Sequence, residues 1–188
     1  MIIGITGTNG AGKGVVVQYL VEQKNFVHYS ASGYLATILN ERGIEPNRSN
    51  LRAVGNELRE KYGAGYLAQL FLAKKETDGV EDVVIESVRS TGEVAELKKA
   101  GGILIIIDAD RELRYQRILE RRSGKDFIDF ESFAEQEERE WYGAEGPSDM
   151  NIKEVMKMAD YTIMNNGTLP DLYKEIENIF DKIEIKSE

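Results

Sequence analysis

The chain contains no cysteine, and histidine, tryptophan and proline are scarce, with one His, one Trp and three Pro in 188 residues. Without cysteine, disulfides, thiolate catalysis and cysteine-based metal sites are excluded. Long apolar runs are also missing. The longest, residues 103–107, falls far short of the roughly 20 residues that span a bilayer. We therefore expect no membrane partner.

Basic charge is in short supply, since 24 Lys and Arg residues are outnumbered by 33 Asp and Glu, for a net charge of -9. Non-specific DNA or RNA binding needs a basic face, so no nucleic-acid partner is expected. Hydrophobic residues make up 41% of the chain, which is typical of a globular protein. The length suits a single domain over 1–188. We expect the protein to be a monomer or a homodimer. Because the first strand pattern begins at Ile2, no signal-peptide pattern is visible, and we expect a cytoplasmic protein.

Short apolar runs alternate with helical patterns along the whole chain. Five runs predict strands over 2–6, 26–29, 83–86, 103–108 and 161–164. Helical periodicity occupies the stretches between and after them, and the helix after the second strand is predicted over 33–42. This alternation is typical of a parallel sheet covered by helices on both faces, where ligands bind at the carboxyl ends of the strands.

A glycine-rich turn, Gly7-Thr8-Asn9-Gly10-Ala11-Gly12-Lys13-Gly14, separates the first predicted strand from a helix. In this context GxxxxGK is typical of a phosphate-binding loop (P-loop). Glycines let successive N–H groups point at an anion, and the helix start adds unpaired donors. The predicted donor-phosphate site comprises Asn9, Gly10, Ala11, Gly12, Lys13, Gly14 and Val15. The alternative is an ordinary glycine-rich turn.

Gly14 stands where the usual motif has Ser or Thr, whose hydroxyl binds magnesium. Further along, Glu86 ends the third predicted strand and Arg89 follows it. An acid at this edge of the sheet can orient the waters of magnesium or accept a proton. Arg89 could bind an acceptor phosphate through its planar guanidinium. The alternative is a strand-ending acid with a surface arginine.

Arg117 and Arg121 lie four residues apart in the helical pattern after the fourth strand, so they share a helix face. Two guanidinium groups suit a polyphosphate whose charge shifts during transfer. A solvated charged face is the alternative, because Glu120 could pair with them. Arg48, Arg52 and Arg59 place further positive charge between the second and third strands. His28 lies in a strand pattern, where we expect packing or hydrogen bonding rather than catalysis.

Taken together, these motifs resemble those of P-loop kinases for small phosphorylated molecules. Gly12-Lys13-Gly14 is similar to the loop of nucleoside monophosphate kinases, adenylate kinase among them. Residues 28–30, followed by Ser32 and Gly33, resemble the entry to the acceptor site in those kinases. The resemblance implies that phosphates and water hold Mg²⁺, with Glu86 acting through water.

The same resemblance assigns roles to the arginines. Arg117 matches a residue that contacts the donor adenine, while Arg121 and Arg139 match residues at the transferred phosphoryl group. Glu86 and Arg89 correspond to an acid and a phosphate-binding arginine, with a spacing shorter by one residue. Ala36 stands where those kinases carry another acceptor-phosphate arginine.

Residues 159–169 look more like dephospho-coenzyme A kinase, in which they form the last strand and a loop beside the adenine. This implies that Asn166 and Gly167 lie near the donor adenine. The stretch also resembles a less characterised group of nucleotide-kinase-like proteins.

The resulting expectation is a three-layer α/β P-loop NTPase fold with a parallel sheet in the order 2-3-1-4-5. Residues 31–79 form the expected acceptor region, with Ser32, Arg59 and Arg89 binding the acceptor, and 122–140 a small lid. Lys13, Glu86, Arg121 and Arg139 are the predicted catalytic residues. The expected function is phosphoryl transfer from ATP with Mg²⁺ to a nucleoside or deoxynucleoside monophosphate. Dephospho-coenzyme A is the alternative acceptor. A nucleotide-binding regulator without transferase activity stays open, and a GTPase-like switch is disfavoured by Gly14.

Overall fold

The structure is a computed structural model that describes residues 1–120, 129–142 and 150–187. Its strands are β1 (Ile2–Gly7), β2 (Val27–Ser30), β3 (Val83–Glu86), β4 (Ile103–Asp108) and β5 (Tyr161–Met164). All the pairings are parallel, and the sheet order is β2-β3-β1-β4-β5.

The described helices lie between and after these strands. They are α1 (Lys13–Lys24), α2 (Ala31–Glu41), α3 (Arg48–Tyr62), α4 (Tyr66–Asp78), α5 (Thr91–Lys99), α6 (Arg111–Glu120), α7 (Phe130–Tyr142), α8 (Ile152–Lys157) and α9 (Leu169–Ser187). Within the described ranges, none of them is both long and apolar enough to cross a membrane.

Two apolar clusters cover the two faces of the sheet. One packs α1 and α9 against the strands through Leu20 and Ile176. The other packs α2 to α5 and α8 on the opposite face, with Leu58 and Leu97 among its buried members. The central strands are buried on both faces, which explains why their sequences are apolar without alternation. This arrangement is the three-layer fold predicted from the sequence.

The register of the sheet brings the ends of several strands together. Ile5 of β1 and Ser30 of β2 both lie opposite Glu86 of β3, and Gly7 lies opposite Ile107 of β4. Because the strands are parallel, the residues that follow them emerge at the same edge. The glycine-rich loop and the residues after β2, β3 and β4 therefore meet there.

The strand order and the three-layer architecture are confirmed. The strands predicted at 83–86, 103–108 and 161–164 have the observed bounds, whereas β2 begins and ends one residue later than predicted. Helix α2 begins two residues earlier, at Ala31, because the Ser30 side chain accepts a hydrogen bond from the Gly33 N–H and caps it.

Candidate active site

The carboxyl edge of the sheet opens into a cavity of about 880 Å³. The glycine-rich loop, α2, α3, the turn after β3, α6 and the start of α9 contribute to its walls. Among the residues that the structure describes, the charged side chains that line it are Lys13, Arg48, Arg52, Arg59, Arg89, Arg117, Glu86 and Glu120. Within this set cations predominate, which favours an anionic ligand.

The loop at residues 7–14 has a shape that only glycine allows at key points. Gly7 has φ +134°, and a Cβ there would lie 1.9 Å from the Ile107 carbonyl oxygen. Gly12 has φ +97°, and a Cβ there would lie 2.5 Å from Asn165 Nδ2. Gly12 is also the N-cap of α1 and provides no side chain to its N–H groups. The positive end of α1 is therefore open to an anion in the cavity.

Side chains from three other elements fix the loop. Thr8 Oγ1 donates to Asp108 Oδ1 at 2.5 Å, at the end of β4. Asn165, just after β5, donates from Nδ2 to the Ala11 carbonyl at 2.8 Å. Arg114 of α6 donates from Nη1 to the Asn9 carbonyl at 3.3 Å. These bonds from the rest of the fold define the shape of the loop.

Arg114 is buried behind the loop and joins it to α7. Its Nε donates to the Ala109 carbonyl at 2.7 Å, and its guanidinium forms an ion pair with Glu137. Asp108 lies 3.6 Å from Arg114 Nε, and the Arg114 guanidinium lies over the Phe133 ring. This arginine supports the loop from below and does not line the large cavity.

Glu86 lines the cavity and pairs with His28 of β2, whose Nε2 lies 3.0 Å from Glu86 Oε2. The hydrogen bond to His28 lowers the pKa of Glu86 below its usual value, against the raising effect of burial. The charges of His28, Lys13 and Arg89 act in the same direction. The carboxylate is therefore ionised at neutral pH. His28 is a hydrogen-bonding residue, as the sequence predicts.

Whether these residues fit Mg²⁺ can be judged from the donors at the mouth of the loop. Within the described residues, no group of three ligating side chains could enclose a metal ion. Glu86 supplies one ionised carboxylate, and Gly14 supplies no hydroxyl. This set fits a magnesium ion held mainly by phosphates and water, with Glu86 on a bound water.

The turn after β3 directs Arg89 back to the loop. Ser87 has φ +71°, uncommon for a residue other than glycine, and its N–H donates to the Ile5 carbonyl at 3.0 Å. Arg89 Nη1 then reaches the Gly7 carbonyl at 3.3 Å. Its backbone N–H donates to Glu93 Oε2 at 2.7 Å. Arg89 therefore lies between the loop and α5.

Arg59 of α3 is buried and still forms part of the cavity wall. Its Nε donates to Glu93 Oε1 at 2.7 Å, and its Nη1 donates to Asn56 Oδ1 at 3.2 Å. Glu93 thus holds Arg59 through one oxygen and the Arg89 backbone through the other. Its carboxylate also accepts from the Ser90 N–H and completes the capping box of α5.

Arg117 and Gly167 line the side of the cavity that approaches α9. Arg117 Nη1 is buried without a hydrogen-bond partner among the described residues. A buried guanidinium nitrogen left unpaired is costly, so a ligand acceptor would stabilise it. Asn166 does not line the cavity, because its Oδ1 accepts from the Asp110 N–H at 2.9 Å. Its neighbour Asn165 lines the cavity instead.

Comparison with known proteins places these features in a family. Residues 3–143 match the family described as AAA domain. A UPF0200 protein of Methanococcus maripaludis is 30% identical over 185 residues, which cover 97% of this chain and 97% of the relative. The chain belongs to the UPF0200 family. It carries a P-loop kinase-like AAA domain.

Solved structures agree with the UPF0200 chain in fold. Shikimate kinase from Aquifex aeolicus has a TM-score of 0.52 at 20% identity, covering 98% of this chain and 99% of that chain. Shikimate kinase from Bacteroides thetaiotaomicron has a TM-score of 0.56 at 14% identity, covering 98% of both. At these identities the likeness shows the fold.

The predicted site residues divide into three groups in this UPF0200 protein. Those that line the cavity are Asn9, Gly10, Gly12, Lys13, Gly14, Val15, Ser32, Arg59, Glu86, Arg89, Arg117 and Gly167. Two do not, since the Ala11 side chain is buried in the core and Asn166 caps the turn before α6. Arg121, the Arg139 side chain and residues 122–128 of the expected lid lie outside the described residues.

Sequence reasoning overlooked Arg114, Glu137 and Glu93. Ser90-x-x-Glu93 before an apolar pattern is a capping-box signature that could have indicated Glu93. Arg114 precedes Arg117 by three residues, which places both near one side of α6. Glu137 carries no comparable signal, because an acidic helix is usually solvated.

Proposed function

We propose that this protein transfers the γ-phosphoryl group of ATP to a nucleotide acceptor, most simply a nucleoside or deoxynucleoside monophosphate. The observation that carries the proposal is the shared cavity. An open phosphate loop and the arginines of α3, α6 and the turn after β3 surround one space of about 880 Å³, within the range of small-ligand sites. The kinase-like fold supports a reaction between two ligands in that space.

At the donor end, Lys13 and the N–H groups of residues 9–15 hold the phosphates of ATP. Lys13 Nζ donates to the Thr8 carbonyl at 2.6 Å, which places its ammonium group beside the loop. Arg117, whose buried Nη1 has no hydrogen-bond partner among the described residues, contacts the donor nucleotide, with Gly167 close to the base of that nucleotide. Glu86 would hold a magnesium ion through one of its water molecules, and that ion would supply neutralisation of phosphate charge.

At the acceptor end, Arg89 and Arg59 hold the acceptor phosphate, and Ser32 lies at the entry. An oxygen of that phosphate attacks the γ-phosphorus, the bond to the β–γ bridging oxygen breaks, and ADP leaves. Arg121 and Arg139 stabilise the charge that spreads over the phosphoryl group during transfer.

The test is a screen for acceptor-stimulated ADP formation. Cytidylate, adenylate, deoxynucleoside monophosphates and dephospho-coenzyme A are compared with ATP and Mg²⁺ alone. We expect one acceptor class to raise the rate. Lys13→Met should lower it by about 10²–10³-fold, as removal of a charge-stabilising donor does elsewhere. Lys99→Met, at the exposed end of α5 on the opposite edge of the sheet, should match the wild type.

Two results would contradict the proposal. A slow rate that no acceptor stimulates would indicate the nucleotide-binding regulator. If calorimetry detects no binding of ATP with Mg²⁺ to the wild type, the loop has another role.

A further inference from the structure

Ser87 follows β3 in a backbone conformation that glycine adopts more easily. Among the described residues, only Asn25 and Ser87 have a positive φ without being glycine, and that of Ser87 is +71°. Asn25 ends α1, where asparagine is common because it tolerates the left-handed region. Ser87 instead lies in a turn in which its N–H and that of Val88 both donate to the Ile5 carbonyl, at 3.0 and 3.2 Å. Glycine would form this turn with less strain, so the turn itself does not account for a serine here.

The hydroxyl of Ser87 has no role in holding the fold together. Two other serines near this edge of the sheet do have one, since Ser30 Oγ accepts from the Gly33 N–H at 3.1 Å and Ser90 Oγ donates to the Ala64 carbonyl at 2.6 Å. Ser87 is half-buried and lines the cavity. In the part of the chain that the structure describes, its Oγ has no hydrogen-bond partner. The hydroxyl is therefore available to a ligand in the cavity.

The phosphate loop lacks a hydroxyl where P-loop proteins commonly have one. In many of them a Ser or Thr of the loop and an acid that follows a strand hold Mg²⁺ together. Here Gly14 occupies the loop position, and the acid, Glu86, directly precedes Ser87. One oxygen of Glu86 lies 3.0 Å from His28 Nε2. Since Mg²⁺ keeps several of its waters, and these donate strong hydrogen bonds, the metal side of the cavity needs further oxygen acceptors.

The acceptor phosphate would gain less from this hydroxyl. The proposed function assigns that phosphate to Arg59 and Arg89, whose charge-assisted hydrogen bonds are stronger than one from a neutral hydroxyl. A metal-bound water, in contrast, cannot donate to a guanidinium, which has no acceptor atom. The oxygen of Ser87 therefore contributes most on the metal side.

We propose that Ser87 Oγ, together with the Glu86 carboxylate, accepts hydrogen bonds from the waters of the magnesium ion that accompanies the donor phosphates. Ser87 thereby supplies, from the end of β3, the hydroxyl that the loop lacks at Gly14. This inference rests on the proposed function, because it concerns the donor end of the same cavity.

The test separates metal-dependent from metal-independent nucleotide binding. A non-hydrolysable ATP analogue is titrated by calorimetry into each protein with Mg²⁺ and, separately, with a chelator in place of the metal. The wild type should bind the analogue more tightly with Mg²⁺. Ser87→Ala should lower the affinity with Mg²⁺ about tenfold, as loss of one charge-assisted contact predicts. It should leave the affinity without metal unchanged.

Two glycine variants separate the hydroxyl from the turn. Ser87→Gly should show the same loss of metal-dependent affinity, while its unfolding temperature stays level or rises, because relief of strain offsets the greater entropy of the unfolded chain. A residue that only shapes the turn would not combine an intact or more stable fold with weaker metal-dependent binding. Asn25→Gly is the matched control, because Asn25 also has a positive φ but lies outside the cavity. Its affinities should equal those of the wild type.

Unchanged affinity of Ser87→Ala with Mg²⁺ would overturn the inference. So would an equal loss with and without the metal, which would place the hydroxyl on the nucleotide itself, or a wild-type affinity that Mg²⁺ does not raise. In these three cases the loop still binds the nucleotide, so this inference alone is wrong. If the analogue binds the wild type under neither condition, the proposed function fails with it.

Discussion

Two arginines are buried at the site, Arg59 in the cavity wall and Arg114 behind the phosphate loop, and each pairs with a glutamate from another helix. The two pairs differ in how far their side chains are exposed. The side chains of Arg59 and Glu93 are each 2% exposed, whereas those of Arg114 and Glu137 are 7% and 10% exposed. The first pair joins α3 to α5 behind the acceptor side. The second joins α6 to α7 behind the phosphate loop.

The two pairs also differ in what else their members hold. Glu93 accepts from two backbone N–H groups besides Arg59, so its charge has several partners within the fold. Arg114 instead extends a bond to the Asn9 carbonyl of the loop. We infer that the first pair stabilises the fold and holds Arg59 in the cavity wall, whereas the second links α7 to the shape of the donor site.

Glu93→Gln should have the greatest consequence, because it leaves the Arg59 charge buried without a counter-charge. We expect a loss of about 3–5 kcal/mol in the free energy of unfolding. Urea unfolding measures it, with an unchanged m-value as the sign that the folded state is retained. Glu57→Gln removes a carboxylate from the exposed pair with Arg42 and should leave the midpoint unchanged. Equal unfolding midpoints for the wild type, Glu93→Gln and Glu57→Gln would show that burial does not distinguish the Arg59–Glu93 pair from the Arg42–Glu57 pair.

Glu137→Gln should cost less stability, about 1–3 kcal/mol, since its pair with Arg114 is closer to solvent. It should also weaken ATP binding by about threefold to tenfold, because Arg114 would hold Asn9 less well and one hydrogen bond contributes about 0.5–1.5 kcal/mol. Calorimetry with ATP and Mg²⁺ measures the second effect. Glu138→Gln, at the exposed neighbouring position, is the control. If Glu137→Gln lowers stability and leaves ATP affinity unchanged, the Arg114–Glu137 pair does not shape the donor site and resembles the Arg59–Glu93 pair in this respect.

The His28–Glu86 pair is more exposed than the two arginine–glutamate pairs, with side chains 34% and 19% exposed. His28→Ala should lower stability at neutral pH by about 1 kcal/mol or less. The folded-state pKa of Glu86 is lowered, so its stabilisation is present above the usual carboxyl range near about 4.3. It is lost as pH falls through the lowered pKa.

The part of the difference between wild type and His28→Ala that depends on the Glu86 carboxylate should therefore be present above about pH 5 and be lost in more acidic solution. Urea unfolding at pH 7, 5 and 3.5 tests this, and in a Glu86→Gln background the pH dependence of the difference should disappear. A difference that is the same at every pH would mean that His28 acts by packing alone.

The sheet and the loop were predictable because their signals are local. Residues 83–85 and 103–107 are continuous apolar runs, each followed by an acidic residue, and Gly7 to Gly14 contains its motif in eight residues. The start of α2 was misplaced because Gly33 breaks the helical pattern, and the Ser30 cap that overrides it is visible only in three dimensions.

The supports of the site were not predictable from such signals. Arg59 and Glu93 are 34 residues apart, and Arg114 and Glu137 are 23 apart. A single sequence contains no periodicity that connects such positions. Asn165 and Asn166 are adjacent and chemically identical, yet one binds the loop and the other the start of α6. Which asparagine contacts the loop depends on the direction in which the chain leaves β5.

The bonds from Thr8, Arg114 and Asn165 have a consequence for the energetics of ligand capture. A loop that acquires its shape only around a phosphate gives up backbone entropy at the moment of association. Here that loss is incurred when the chain folds. The attraction between the loop's amide dipoles and an incoming anion then contributes to affinity without that entropy loss. The anion can bind without a prior rearrangement of the main chain.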